Sequence, residues 1–376
     1  MRKIFPVTPG AWRAGIVGTA IVGLCTCLLF GVPVRAETKL PPVEELLRDL
    51  KFTAGDLERA KEGKIVERSV SEGSERALSI GLALLVKAKP EEIAKLYRET
   101  QDTESVKAFK VRVTIPGAGT PADFAAVDLQ PNPEKEAQRY LNAEPGSTLN
   151  LDAKEITAFQ ALKSASKDKA VPVKEVEQLV RQELLGRYQA YRTKGLAGIA
   201  SYQRGKNSQL SARDELLRAT KESTGLAKHV PALHDVLMNY PAAKEKVKKD
   251  KFEESFHWFN VELFDRPTYV LTHRMAMFVD YGYVNVERTY YASHDYNSMQ
   301  QIVAAIPTRD GTLLIYVARV STDQVAGFKS AAARPVARTV MAPYIKDMLE
   351  ALRNRAEKND PIVCLNTEKE NSEIRV

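Results

Sequence analysis

The chain has 376 residues, 44% of them hydrophobic and 27% charged, with 55 Lys and Arg against 48 Asp and Glu and a formal charge of +7. Four of those cations (Arg2, Lys3, Arg13, Arg35) lie in the first 36 residues with no acid among them, so the remainder carries +3. That leaves no electrostatic case for a nucleic-acid partner. Two of the three cysteines, Cys25 and Cys27, fall in the same segment, so beyond it only Cys364 remains and an internal disulfide is excluded.

The N-terminus reads as a secretory signal peptide: cations, an apolar run from Ala14 to Phe30, and Val34-Arg35-Ala36 before Glu37. The competing reading is a retained membrane anchor, because the run is close to the shortest span of a bilayer. Gly15, Gly18 and Gly23 thin the run and Pro33 breaks it, which favours cleavage after Ala36. Lipoprotein processing fits less well, since Thr26 precedes Cys27. The mature protein is therefore expected in the periplasm or outside the cell, with no stable transmembrane segment.

After the signal, Leu40, Val43, Leu46, Leu47 and Leu50 predict one short amphipathic helix within 37–63. Lys64–Val70 and Arg76–Ala88 read as a strand pair around Glu72-Gly73-Ser74, although both faces of the second segment are apolar and a helix competes. Pro90-Glu91-Glu92 opens a helix through Ile93, Leu96 and Tyr97. Ser105–Ile115 reads as a strand. The Pro116–Gly119 loop behind it lacks the strand-turn-helix setting of a phosphate cradle.

From Pro133 the pattern turns helical, with segments Lys135–Asn142, Asp152–Leu162, Val173–Lys194 and Ser211–Ala227. Tyr188, Tyr191 and Tyr202 are read as packing residues. Lys244–Lys251 is a charge run expected at a solvated helix end or in a lid. Four strands then follow, Tyr269–Phe278, Val284–Tyr296, Met299–Pro307 and Thr312–Val320, separated by Asp280-Tyr281-Gly282, Asp295-Tyr296-Asn297 and Arg309-Asp310-Gly311. Breaks this short predict an antiparallel meander. A final helix carries Val336, Val340, Tyr344, Met348 and Leu352 at four-residue steps, and the residues from Glu357 onward are polar and read as disordered.

This element order resembles the START and polyketide-cyclase superfamily of helix-grip folds. The residues carrying the resemblance are Leu78–Tyr97, Phe256-His257-Trp258-Phe259, Arg288–His294, Leu313–Arg319 and the helix Val336–Arg353, and the resemblance as a whole covers about half of the mature chain. The resemblance implies an α+β fold, with an antiparallel sheet wrapped around a long C-terminal helix and an apolar cavity between them. Pro121–Lys251 departs from it, being mainly helical where the family carries strands. The expected organisation is a signal peptide over 1–36, an N-terminal helical segment over 37–63, and a START-like domain in two parts, 64–120 and 252–356. A helical insertion over 121–251 interrupts that domain, and a tail over 357–376 follows it.

Candidate site residues sit on the meander, where alternate side chains share a face. His273, Met275 and Met277 fall on one face of their strand, and Arg288, Tyr290 and His294 on one face of the next. If the faces coincide, Arg288 would meet an anionic head group, with His273, Tyr290 and His294 as hydrogen-bond partners beside an apolar cavity. The competing reading makes them satisfied core histidines, packing tyrosines and an exposed Arg.

No metal site or cofactor is expected: His229 and His234 do not have helix-turn spacing, and His257, His273 and His294 come from separate elements. Ser293-His294-Asp295 has the residue types of a hydrolase, but neighbours on a strand point to opposite sides and no Gly-x-Ser-x-Gly elbow is present. The expectation is an exported protein that binds or carries an apolar small molecule or lipid. The alternatives are an envelope protein-interaction scaffold working through the helical region, or a cyclase or hydrolase on the same fold using His273, His294 or Tyr290 as acid or base.

Overall fold

The computed structural model describes residues 43–99, 109–146, 148–166, 170–205, 207–327 and 330–358. Contacts divide the chain into Met1–Lys39 and Leu40–Val376, and all the described residues belong to the second unit. The expected signal peptide and residues 359–376 of the expected tail lie outside them.

The N-terminal segment holds two short helices in place of the single one expected, α1 (Val43–Asp49) and α2 (Ala54–Lys61). The break falls at Lys51, whose φ of 63° no helix continues, and Thr53 then caps α2 in a reciprocal box with Asp56. β1 (Val66–Arg68) pairs antiparallel with β2 (Ala77–Val86), as the strand reading predicted. All ten residues of β2 are buried, which explains why its sequence is apolar on both faces. Next come α3 (Pro90–Glu99) and β3 (Phe109–Thr114).

The helical region contains α4 (Pro133–Leu141), α5 (Ala153–Ala165), α6 (Val173–Lys194), a two-stranded ribbon of β4 (Tyr202–Gln203) and β5 (Gln209–Leu210), then α7 (Ala212–Lys221), α8 (Thr224–His229) and α9 (Pro231–Asn239). The helix expected over Ser211–Ala227 is broken between α7 and α8. There Thr220 and Ser223 turn their hydroxyls back onto the carbonyls of Leu216 and Ala219, a local competition that weakens a helix.

The meander has five strands, not four: β6 (Phe252–Leu263), β7 (Arg266–Val279), β8 (Gly282–Ala292), β9 (Ser298–Thr308) and β10 (Gly311–Ser321). Gly311 takes a φ of 135° at the last hairpin, where an added Cβ would meet the Val86 carbonyl at 2.5 Å. β2 pairs with β10 and β3 pairs with β6, giving one eight-stranded antiparallel sheet in the order β1-β2-β10-β9-β8-β7-β6-β3. The chain closes its described part with α10 (Ser330–Lys358).

Helices cover both faces of this sheet. On one face Leu82, Leu84, Val303, Ala305, Leu314 and Tyr316 pack against α3 and α10. The opposite face is shared: Ile306, Leu313, Ile315 and Val317 pack with α1 and α2, while Phe256, Trp258, Leu271, Met275 and Val286 pack with the helical region. The helical region and the sheet therefore have a common core and are not separate domains. The buried stripe of α10 is Ala342, Ile345, Leu349 and Ala356. Val336 and Tyr344, expected to face inward, are 64% and 42% exposed. A strict four-residue step advances about 40° per step on a helix of 3.6 residues per turn, so the predicted stripe rotates away from the sheet. No helix among the described residues is long and apolar enough to cross a membrane.

Candidate functional site

The strand faces expected to coincide do so for most of the predicted residues. His273 pairs directly with Arg288, Met275 with Val286 and Met277 with Val284, all on the face covered by the helical region. A register shift beside Thr272 leaves Tyr290 unpaired on β8. Its ring stacks on Tyr191 of α6, with centroids 3.9 Å apart and planes 9° from parallel.

His273 Nε2 donates to the Glu254 carboxylate at 3.3 Å, its Nδ1 accepts from the Tyr191 hydroxyl at 3.1 Å, and its ring lies flat on Phe256. Arg288 is fully buried, and its Nη2 donates to Thr220 Oγ1, to the Leu237 carbonyl and to Gln300 Oε1 at 2.9–3.2 Å. Three of the predicted groups, with Met275 and Met277 beside them, thus form one cluster closed over by α6, α7 and α9.

Burial pushes the His273 imidazole down to about 4 despite the neighbouring Glu254, so it is neutral near pH 7. For Glu254 burial acts upward, and the hydrogen bonds from His273 and Lys244 outweigh it, holding the carboxyl at about 2. His294 is not part of this cluster. It follows β8 and bonds Asp295 at 2.6 Å and the Pro267 carbonyl at 3.0 Å, pinning the turn. The adjacent Ser293 hydroxyl accepts from the Tyr269 amide, so these three residues do not assemble a nucleophile.

A cavity of about 360 Å³ opens on the same face, at the seam between the core under α1 and α2 and the core under the helical region. Its floor is Val284, Ile302, Ala304, Ile315 and Val317, and its walls include Leu46 and Leu50 of α1 with Leu226 of α8 and Val230 just after it. The register explains the floor: Met275–Val286–Ile302–Val317 and Met277–Val284–Ala304–Ile315 are two cross-strand rows. Met275 and Met277 begin these rows, but the cavity floor lies on the next three strands, β8 to β10. Neither they nor the other predicted residues line it. It also lies on the face opposite α10, whereas the resemblance implies a cavity between the sheet and the last helix.

Polar groups gather at the cavity wall. His229 Nε2 bonds Asp49 at 2.8 Å, and Lys228 reaches the same carboxylate at 2.6 Å. The Lys228 and His229 bonds hold Asp49 below the usual carboxylate range. Tyr281 donates to the His229 carbonyl. Arg319, Ser71, Glu222 and Ser223 line the other end. Sequence reasoning missed this group because its members come from α1, the β1–β2 loop, the α7–α8 junction and β10. Arg319 stands in a segment that carries the resemblance and His229 is weighed in the sequence only as a metal ligand, so neither is linked to this wall.

On the α10-facing side a second buried polar cluster includes His257, bonded to Thr114 at 3.1 Å and Ser255 at 2.9 Å, and Arg274, which donates to the Tyr97 carbonyl. Burial, with Arg112 and Arg274 nearby, pushes His257 down to about 3. Among the described residues no group of three His, Cys, Asp or Glu is placed to hold a metal ion. No protein-family model, curated protein or solved structure matches the chain.

Proposed function

We propose that this chain is an exported binding protein for an apolar small molecule or lipid, built on a START-like helix-grip sheet. The observation that carries the reading is the apolar cavity of about 360 Å³, floored by three neighbouring strands and walled by α1 and α8. Its size lies within the range of small-ligand sites, and so does its make-up, mostly aliphatic with a few convergent polar groups. The helix-grip part of the reading is supported by a continuous antiparallel sheet in which the early strand β2 pairs with the last strand β10, with the C-terminal helix packed along one face. Export rests on the signal-like N-terminus, and with it a periplasmic or extracellular location.

The test is native mass spectrometry of residues 37–376 purified from an exported preparation, beside an Ala304→Phe variant that fills the floor of the cavity. The expected result is a co-purifying apolar molecule near one per chain in the parent, and its loss in a variant with an unchanged circular dichroism spectrum. A parent that stays ligand-free, and takes up nothing from envelope lipid extract, overturns the proposal.

A further inference from the structure

The cavity has one buried cation on its wall. Arg319 is 7% exposed and ends a polar row, His273–Arg288–Gln300–Arg319, that crosses four strands next to the apolar rows of the floor. Its guanidinium donates from Nε to the Ser71 carbonyl at 2.9 Å, from Nη1 to Ser223 Oγ at 3.2 Å and from Nη2 to the Glu222 carbonyl at 3.1 Å. All three acceptors are neutral.

A guanidinium has five N–H groups. One on each terminal nitrogen is therefore left without a partner among the described residues. Among the other buried arginines, Arg187 pairs with Glu155, whereas Arg288, which does not line the cavity, also meets only neutral acceptors. Arg319 has no carboxylate at ion-pair distance among the described residues. The nearest acid, Glu222, accepts a hydrogen bond from the Ser71 hydroxyl and acts on Arg319 only across space. At the opposite end of the cavity Asp49 is engaged by Lys228 and His229, so its charge is largely answered.

Holding a cation out of water without an anion is costly, and a planar fork with donors on both terminal nitrogens suits a two-oxygen acceptor. We infer that the cavity takes a single-chain amphiphile whose oxyanion head, a carboxylate or a phosphate, docks on Arg319 while its chain lies along Ile302, Ala304, Ile315 and Val317. This deepens the binding function proposed above and rests on it. A cavity of 360 Å³ holds about a dozen groups the size of a water or a methylene, which points to a medium-length chain.

The test titrates exported residues 37–376 with four probes of equal chain length, decanoate, decyl phosphate, decanol and decyltrimethylammonium, by calorimetry at pH 7.5. An anionic probe is expected to bind about tenfold or more tighter than decanol, as a charge-assisted contact requires, with the cation weakest. The stronger of decanoate and decyl phosphate tells a fatty-acid head from a phosphorylated one. Arg319→Gln should erase the preference while keeping decanol binding. Glu222→Gln, on a half-buried side chain off the floor, should tighten the anion several-fold by removing the competing charge. Equal binding of decanol and both anions, or an anion preference that survives Arg319→Gln in a folded variant, overturns the head-group inference and leaves the cavity reading standing. Binding of none of the four probes overturns both.

Discussion

His273 shows how one buried side chain sets a pH dependence for the whole fold. It is neutral in the folded state down to about pH 4, whereas an exposed histidine takes up a proton near 6.5. Between those values the unfolded chain binds a proton that the folded chain refuses, so stability falls as pH drops through this window. Below pH 4.5 Glu254 adds to the loss, because its folded carboxyl stays ionised down to about 2. The expected outcome is that the unfolding free energy of the parent in urea declines from pH 6.5 to 4, by up to about 1.4 kcal/mol per pH unit from this group. His273→Gln should be less stable at pH 7 but flatter across the same range. An equal slope in parent and variant would mean that His273 is hydrated and titrates normally.

At the scale of elements, α10 decides which sequence periodicity counts. Its contacts with the sheet run through Ala342, Ile345, Leu349 and Ala356, with Met341, Met348 and Leu352 half-buried beside them. Steps of three and four keep these residues on one side, where a repeat of four alone drifts round the helix. Leu349→Ala should cost about 2–5 kcal/mol, the range for truncating a buried leucine. Val336→Ala, on the exposed side, should change stability by no more than about 0.5 kcal/mol. Denaturant unfolding of the two variants checks the assignment, and the reverse order would place the helix on its other face. Similar logic holds for α6, whose Tyr188 and Tyr191 insert between Phe256, Tyr240 and Tyr290 and tie the helical region to β6 and β8.

For the whole molecule, the shared core makes the helical region and the sheet one cooperative body. Trp258 reports on the joint between them: it is fully buried on β6, stacks on Phe124 and donates from its indole to the Asp123 carbonyl at 2.7 Å. The chain has two tryptophans, and the other, Trp12, falls within the expected signal. Tryptophan fluorescence of residues 37–376, excited at a wavelength where tyrosine does not absorb, thus comes from Trp258 alone. Its red shift and the loss of far-ultraviolet circular dichroism should coincide in urea, as in a two-state transition. Separated midpoints would show the helical region unfolding by itself.

The sequence by itself determined the α+β composition, the β1–β2 pair, the serial antiparallel strands and the long last helix, because each is written in a local period of two or of three to four residues. Alternation also placed His273, Met275 and Met277 on one face of their strand and Arg288 and Tyr290 on one face of the next, while the match between the two faces came from the strand register, which only the structure supplied. Only the tertiary structure decided what covers that face. The helical region closes over His273, Arg288 and Tyr290, and the space left open lies beside them over β8 to β10, walled by α1 and α8. β6 was missed because burial on both sides blurs its alternation. The cavity was missed because its wall is drawn from residues 46 to 319, and no local pattern records which distant segments fail to meet.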